Sequence, residues 1–98
     1  MRVLHPTVYI MTNRKNGTLY VGVTSNLPKR VWQHRVHELP GFTSRYGCHM
    51  LVWYEEAPTM EAAILREKHV KAGSRAKKKA LVESMNPLWQ DLYPTLSV

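Results

Sequence analysis

Thr7-Val8-Tyr9-Ile10-Met11-Thr12 and, after a polar loop, Leu19-Tyr20-Val21-Gly22-Val23-Thr24 are the stretch from which the fold of this chain is read. Both runs are rich in β-branched and aromatic residues, as strands are. Between them, Asn13 to Gly17 is polar and ends in Asn16-Gly17, a strong turn signal. In the second run Leu19, Val21 and Val23 alternate with Tyr20, Gly22 and Thr24, so Tyr20 and Thr24 share the face opposite the aliphatic one. An antiparallel hairpin follows.

Working outward, Ser25 or Asn26 caps a helix that carries Pro28 in its first turn and runs to about His37. Leu27 and Val31 form one stripe of it. Arg30 and His34, four residues apart, project from neighbouring turns of one face. Leu39 to Cys48 contains Pro40, Gly41 and Gly47 and reads as a loop. Met50 to Tyr54 is a third strand, apolar enough to be central or inner. Thr59 then caps a second helix that stops at Gly73. Met60, Ala63, Ile64, Glu67 and Val70 share one of its faces, so Glu67 lies on an apolar stripe. Ser74 starts a third helix, Arg75 to about Met85, and Asn86-Pro87 ends it. Trp89, Leu92 and Tyr93 in the tail are expected to pack back. The organisation is one domain over residues 1–98, with a core of about 5–85 and a tail of 86–98.

The composition sets limits. Ninety-eight residues suffice for one compact domain, and 44% hydrophobic with 21% charged fits a folded chain. The net charge of +7, from 14 Lys and Arg against 7 Asp and Glu, favours a polyanionic partner. One cysteine, Cys48, excludes an internal disulfide and suits the cytoplasm. No paired Cys or Cys/His spacing suggests zinc. Met1 to Thr7 does not read as a signal peptide, and no apolar run approaches the length of a membrane span.

Several residues could carry chemistry. Each has an ordinary structural reading: Tyr9 and Tyr20 as strand packing, Arg30 and His34 as a solvated helix face, Glu67 as a core-edge carboxylate paired with Arg66, Lys71 or another cation. Together they are more informative. Phosphodiester hydrolysis needs a nucleophilic water, a cation at the phosphate and stabilisation of the leaving oxygen. Glu supplies an oxygen ligand suited to Mg²⁺ or Mn²⁺.

The same residues resemble a known family. Thr7-Val8-Tyr9 and Tyr20-Val21-Gly22 are similar, in sequence and separation, to the paired signature of the GIY-YIG endonucleases. The similarity continues through Gly22-Val23-Thr24-Ser25-Asn26-Leu27-Pro28-Lys29-Arg30 to His34, and reaches Glu67 in Leu65-Arg66-Glu67-Lys68. The closing stretch, Leu81 to Leu92 with Asn86-Pro87, resembles short stand-alone bacterial members. Thr7 replaces the first glycine, Val8 and Val21 replace isoleucines, and Ser74 stands where close relatives are expected to have tryptophan.

The resemblance implies an α/β (α+β) fold: a three-stranded antiparallel sheet flanked by helices. It implies a metal-dependent DNA endonuclease that is weakly sequence-specific or structure-selective, with a place in repair or recombination. One divalent ion, Mg²⁺ or Mn²⁺, would be held by Glu67. Tyr9 would take the proton of the attacking water and Tyr20 would hydrogen-bond the water or the phosphate. Arg30 would hold the phosphate, and His34 would orient the tyrosine or relay a proton. Arg30, the metal and the +7 field are expected to lower the tyrosine pKa from its free value near 10. Asn86 is a further candidate, as an active-site amide.

Arg14, Lys15, Lys29, Arg35, Arg45, Arg75 and Lys77, Lys78 and Lys79 are the expected nucleic-acid surface; such contacts position a backbone without reading bases. DNA is the expected partner, RNA is compatible with the same chemistry, and a protein partner would supply targeting. The main rival is a non-catalytic nucleic-acid-binding module in which Trp32, Tyr46 and Trp53 stack on unpaired bases. A second is a protein-interaction domain with a basic surface.

Overall fold

The computed structural model describes residues 5–36, 41 and 45–96. Its strands are β1 (Thr7–Thr12), β2 (Leu19–Thr24) and β3 (Met50–Glu56), and its helices are α1 (Leu27–Arg35), α2 (Met60–Ala72) and α3 (Arg75–Met85). A 3₁₀ turn, Tyr93–Thr95, follows in the tail. The strands form one antiparallel sheet in the order β2-β1-β3.

β1 is therefore the central strand and β3 an outer one, which corrects the sequence expectation for β3. Two features account for the apolar character that misled. The β1–β3 register shifts between Ile10 and Met11, so that Ile10 faces Trp53 and Met11 faces Leu51. Val52 is the extra residue of this bulge, and Val52 and Trp53 both enter the same core cluster. The tail also covers the outer edge of β3. The Leu92 N–H donates to the Leu51 carbonyl (2.7 Å), the Leu51 N–H donates to the Asp91 carboxylate (3.2 Å), and the Asn86 amide donates to the Val52 carbonyl (3.2 Å). An edge capped in this way cannot recruit another strand.

The sheet is covered on both faces. Val8, Ile10 and Val21 pack with Ala63 and Val70 of α2, Val82 of α3 and the buried Trp89. Tyr9 and Met11, on the other face, pack with Leu27 and Val31 of α1 and with Leu92, Tyr93 and Leu96 of the tail. The strand period of two thus divides β1 between two cores.

Local signals set the helix ends. Asn26 caps α1 by accepting from the Lys29 N–H, Thr59 caps α2 by accepting from Ala62, and Ser74 caps α3 by accepting from Lys77. Capping is what Ser74 does at the position expected to hold tryptophan. Helix α1 ends at Arg35; His37, and half of the loop read over Leu39 to Cys48, lie outside the described residues. The β1–β2 connection is a six-residue loop, longer than the two-residue turn that Asn-Gly favours. In it Asn16 adopts φ +58° and the Asn13 side chain accepts from the Thr18 N–H.

Asp91 holds the tail. Its carboxylate accepts from Arg35 Nη1 (2.6 Å), the Leu51 N–H and the Tyr93 N–H, and the Arg35 guanidinium also lies over the Tyr93 ring. Asp91→Ala is expected to cost about 3 kcal/mol, because it leaves the Leu51 N–H without its acceptor and the half-buried Arg35 guanidinium without its carboxylate, with only the His49 carbonyl still accepting from it. Urea unfolding at unchanged m-value would show it.

Candidate active site

Tyr9 is the centre of the site, and its position follows from the hairpin register. Tyr9 sits opposite Gly22 across β1 and β2. A β-carbon at Gly22 would lie 2.5 Å from both Cζ and Oη of Tyr9. The phenol therefore occupies the space that any other residue at position 22 would fill. This is a steric requirement for glycine, and pattern reading placed no weight on it. Gly22→Ala is expected to keep the sheet, displace the hydroxyl and lower any cleavage rate about 100-fold, since a misplacement of about 1 Å costs that much. A rate within a few-fold of wild type would show that the phenol is not poised there.

Helix α1 begins three residues after β2 and turns Arg30 and His34 back over Tyr9. Tyr9 Oη and His34 Nε2 are 2.9 Å apart in a buried hydrogen bond. Tyr20 completes a three-ring cluster, with its ring centroid 6.2 Å from Tyr9 and 5.4 Å from His34. Arg30 acts on both partners. It opposes the rise of the Tyr9 pKa by charge and hydrogen bonding, and it disfavours protonation of His34.

The electrostatics differ from the sequence expectation. Burial and the neighbouring Tyr20 push the Tyr9 phenol well above its ordinary value, and Arg30 offsets only part of that rise. Tyr9 is thus a neutral phenol at every physiological pH. His34 is pushed down to about 4, first by burial and then by Arg30. The cluster is built neutral, with Arg30 as its cation.

The His34 shift carries a stability consequence. Its folded pKa lies below the unfolded value near 6.5, so the unfolded chain binds the proton first. Stability is fully present above pH 6.5 and falls as pH drops towards about 4, by about 3 kcal/mol in all. His34→Gln should flatten that slope in urea titrations at pH 7, 5.5 and 4. An equal acid slope in the variant would place the titrating group elsewhere.

Glu67 comes from the other layer. It lies between Ala63 and Val70 on the sheet-facing side of α2, with a side chain only 12% exposed, and Lys71 meets its carboxylate at 3.0 Å. Ile64, expected on the same stripe, is 39% exposed. Among the described residues no group of three or more His, Cys, Asp or Glu side chains could hold a metal. A single carboxylate nevertheless fits a hard cation that keeps its waters and takes further oxygens from a substrate phosphate. Lys71, 60% exposed, is an easily displaced occupant of that position.

Other residues singled out in the sequence fall elsewhere. The Asn86 amide donates to the Val52 and Gln90 carbonyls and accepts from the Gln90 N–H, so it is engaged in holding the tail. Arg35 is taken up by Asp91, and Arg75 Nη2 donates to the Asn16 and Gly17 carbonyls of the hairpin loop. Arg14, Lys15, Lys29 and Arg45 are exposed, as is Lys77, whereas Lys78 and Lys79 are half-buried. Trp53 is only 4% exposed and cannot stack on a base; Trp32 and Tyr46 are both 46% exposed.

Known proteins are similar to this chain in sequence and fold. The model of the GIY-YIG catalytic domain matches residues 5–80. A UPF0213 protein of Natronomonas pharaonis is 40% identical over 75 residues, covering 76% of this chain and 87% of that protein. The solution structure of a UPF0213 protein from Bacillus halodurans superposes with a TM-score of 0.56 at 27% identity, covering 97% of this chain and all of that one. With the paired tyrosines on their hairpin, the helix that follows and the match over most of its length, this chain belongs to the GIY-YIG catalytic domain family.

Proposed function

We propose that the chain is an endonuclease that hydrolyses phosphodiester bonds of DNA with one divalent ion, Mg²⁺ or Mn²⁺, and with little sequence selectivity. The observation that carries this reading is the buried Tyr9–His34 hydrogen bond beside Arg30. A neutral phenol bonded to a neutral imidazole is a proton relay. Tyr9 receives a proton from water while passing its own to His34 Nε2, and the phenolate never forms. The raised pKa of Tyr9 is compatible with this route and incompatible with a standing phenolate base.

Arg30 is the phosphate-holding residue, through charge-assisted hydrogen bonds. Tyr20 orients the water or the phosphate. Glu67 would hold the divalent ion, which supplies Lewis-acid stabilisation of the leaving oxygen. Because Glu67 and the tyrosines come from opposite layers, a site that uses both runs around the free edge of β2. Arg14, Lys15, Lys29, Arg45 and the Lys77 to Lys79 run supply backbone attraction. A role in repair or recombination is consistent with structure-selective cutting. Among the described residues no helix is long and apolar enough to cross a membrane, and cytoplasmic action on DNA suits that.

The test is cleavage of labelled duplex, single-stranded, flapped and branched DNAs with Mg²⁺, with Mn²⁺ and with EDTA. Metal-dependent nicking of at least one form is expected. Salt-sensitive binding with no cutting of any form, RNA included, would instead identify a binding module.

A further inference from the structure

Across the sheet from the tyrosines, the end of α2 and the first turns of α3 enclose a cleft of about 290 Å³. Its size is near the lower bound of small-molecule sites, roughly 300 Å³. Val70, Ala72 and Leu81 supply apolar lining, and Arg66, His69, Lys77 and Lys78 supply a basic rim. Among the described residues no carboxylate lines it. Arg66 is matched by the Glu55 carboxylate at 3.0 Å, so the surplus charge rests on the two lysines, neither of which joins an ion pair among the described residues.

The cleft is pre-formed. Only Gly73 and Ser74 separate α2 from α3, and Ser74 caps the second helix. Arg75 then ties the start of α3 to the hairpin loop through the Asn16 and Gly17 carbonyls. That loop carries the exposed Arg14 and Lys15, so the cationic surface continues from the cleft towards the hairpin. An apolar floor gives nothing to a bare phosphate, and a lysine rim gives nothing to a neutral apolar ligand. Together they match a group with both a flat ring and a phosphate.

We propose that this cleft holds one unpaired nucleotide of the bound DNA strand, its phosphate on Lys77 and Lys78 and its base over Val70, Ala72 and Leu81. The choice of a DNA strand as occupant rests on the nuclease reading; the cleft's chemistry does not. A nuclease that grips an unpaired nucleotide away from its cutting site selects DNA with a single-stranded segment next to the scissile bond.

The experiment is an amide NMR titration in EDTA, where cleavage is not required. The probes are a short single-stranded oligodeoxynucleotide, its blunt duplex, deoxyadenosine monophosphate and inorganic phosphate. The single strand is expected to shift the Gly73, Lys77 and Lys78 amides at concentrations where the other three do not. Ala72→Leu, at an exposed position, fills the cleft without adding charge or an aromatic ring; it should abolish those shifts and weaken binding about tenfold, the loss of the base's apolar contact. Lys77→Gln with Lys78→Gln should reduce the salt slope of single-strand binding by about 0.7, the value for one phosphate contact. Equal shifts with the mononucleotide or the duplex would overturn the proposal, as would cleft shifts that survive Ala72→Leu. If the DNA panel were uncut while the single strand still shifted these amides, the nuclease reading would fail and this one would stand.

Discussion

Arg30→Gln should lower kcat/KM for phosphodiester cleavage about 1,000-fold, the upper range for removing one preorganised donor from a developing anion. Arg30 is the only cation that acts on the Tyr9–His34 pair in the described structure. Its side chain is half-buried, so its charge is less screened than that of an exposed lysine. Arg30→Lys should recover only part of the loss, because an ammonium cannot offer the planar fork that grips two phosphate oxygens. A spectroscopic readout accompanies the kinetic one. With Arg30 gone, His34 loses one of the two influences that lower its pKa, and its ring protons should titrate above the wild-type value of about 4. Burial, the larger influence, remains, so the midpoint should stay below 6.5. Cleavage within threefold of wild type, with His34 titrating as before, would remove Arg30 from the site.

The hairpin was legible because two local signals agree. The alternation Leu19, Val21, Val23 fixes which face of β2 is aliphatic, and those residues do pack on the α2–α3 side. The helix ends were legible because capping is chemistry within three residues of chain. What could not be read depends on contacts between distant residues. The place of β3 at the sheet edge is set by the bulge opposite Ile10 and by the tail, and neither leaves a local pattern in Met50–Tyr54. Arg35 and Arg75 look like free cations in sequence, yet each has an acceptor more than 50 residues away. The burial that raises the Tyr9 pKa against the charge of Arg30 escapes the sequence for the same reason. Net charge is visible in composition, but the desolvation that outweighs it depends on packing. The close approach of Tyr9 to Gly22 shows the limit most clearly. The sequence displays both residues, but their requirement for each other appears only once register places them opposite one another.

Glu67→Gln should reduce metal-dependent cleavage about 1,000-fold or more, as expected when several kcal/mol of charge stabilisation are removed. A carboxylate between Ala63 and Val70 on the sheet-facing side of a helix pays for its desolvation unless a cation compensates, and a 60% exposed lysine compensates weakly. An apolar or uncharged residue would serve the core better, so the position makes physical sense if a stronger cation uses it. The variant is nearly isosteric and should fold. It deletes the anionic ligand while keeping the shape, and Lys71 loses only a surface partner. A second readout separates metal binding from catalysis: Mn²⁺ should broaden amide resonances around Glu67 in the wild type and leave them sharp in Glu67→Gln. Lys71→Met provides a control in the opposite direction, since it frees the carboxylate and should tighten Mn²⁺ binding. If Glu67→Gln cut DNA at the wild-type rate and bound Mn²⁺ as well, the carboxylate would be a structural ion-pair partner of Lys71 and the divalent ion would have to be sought elsewhere.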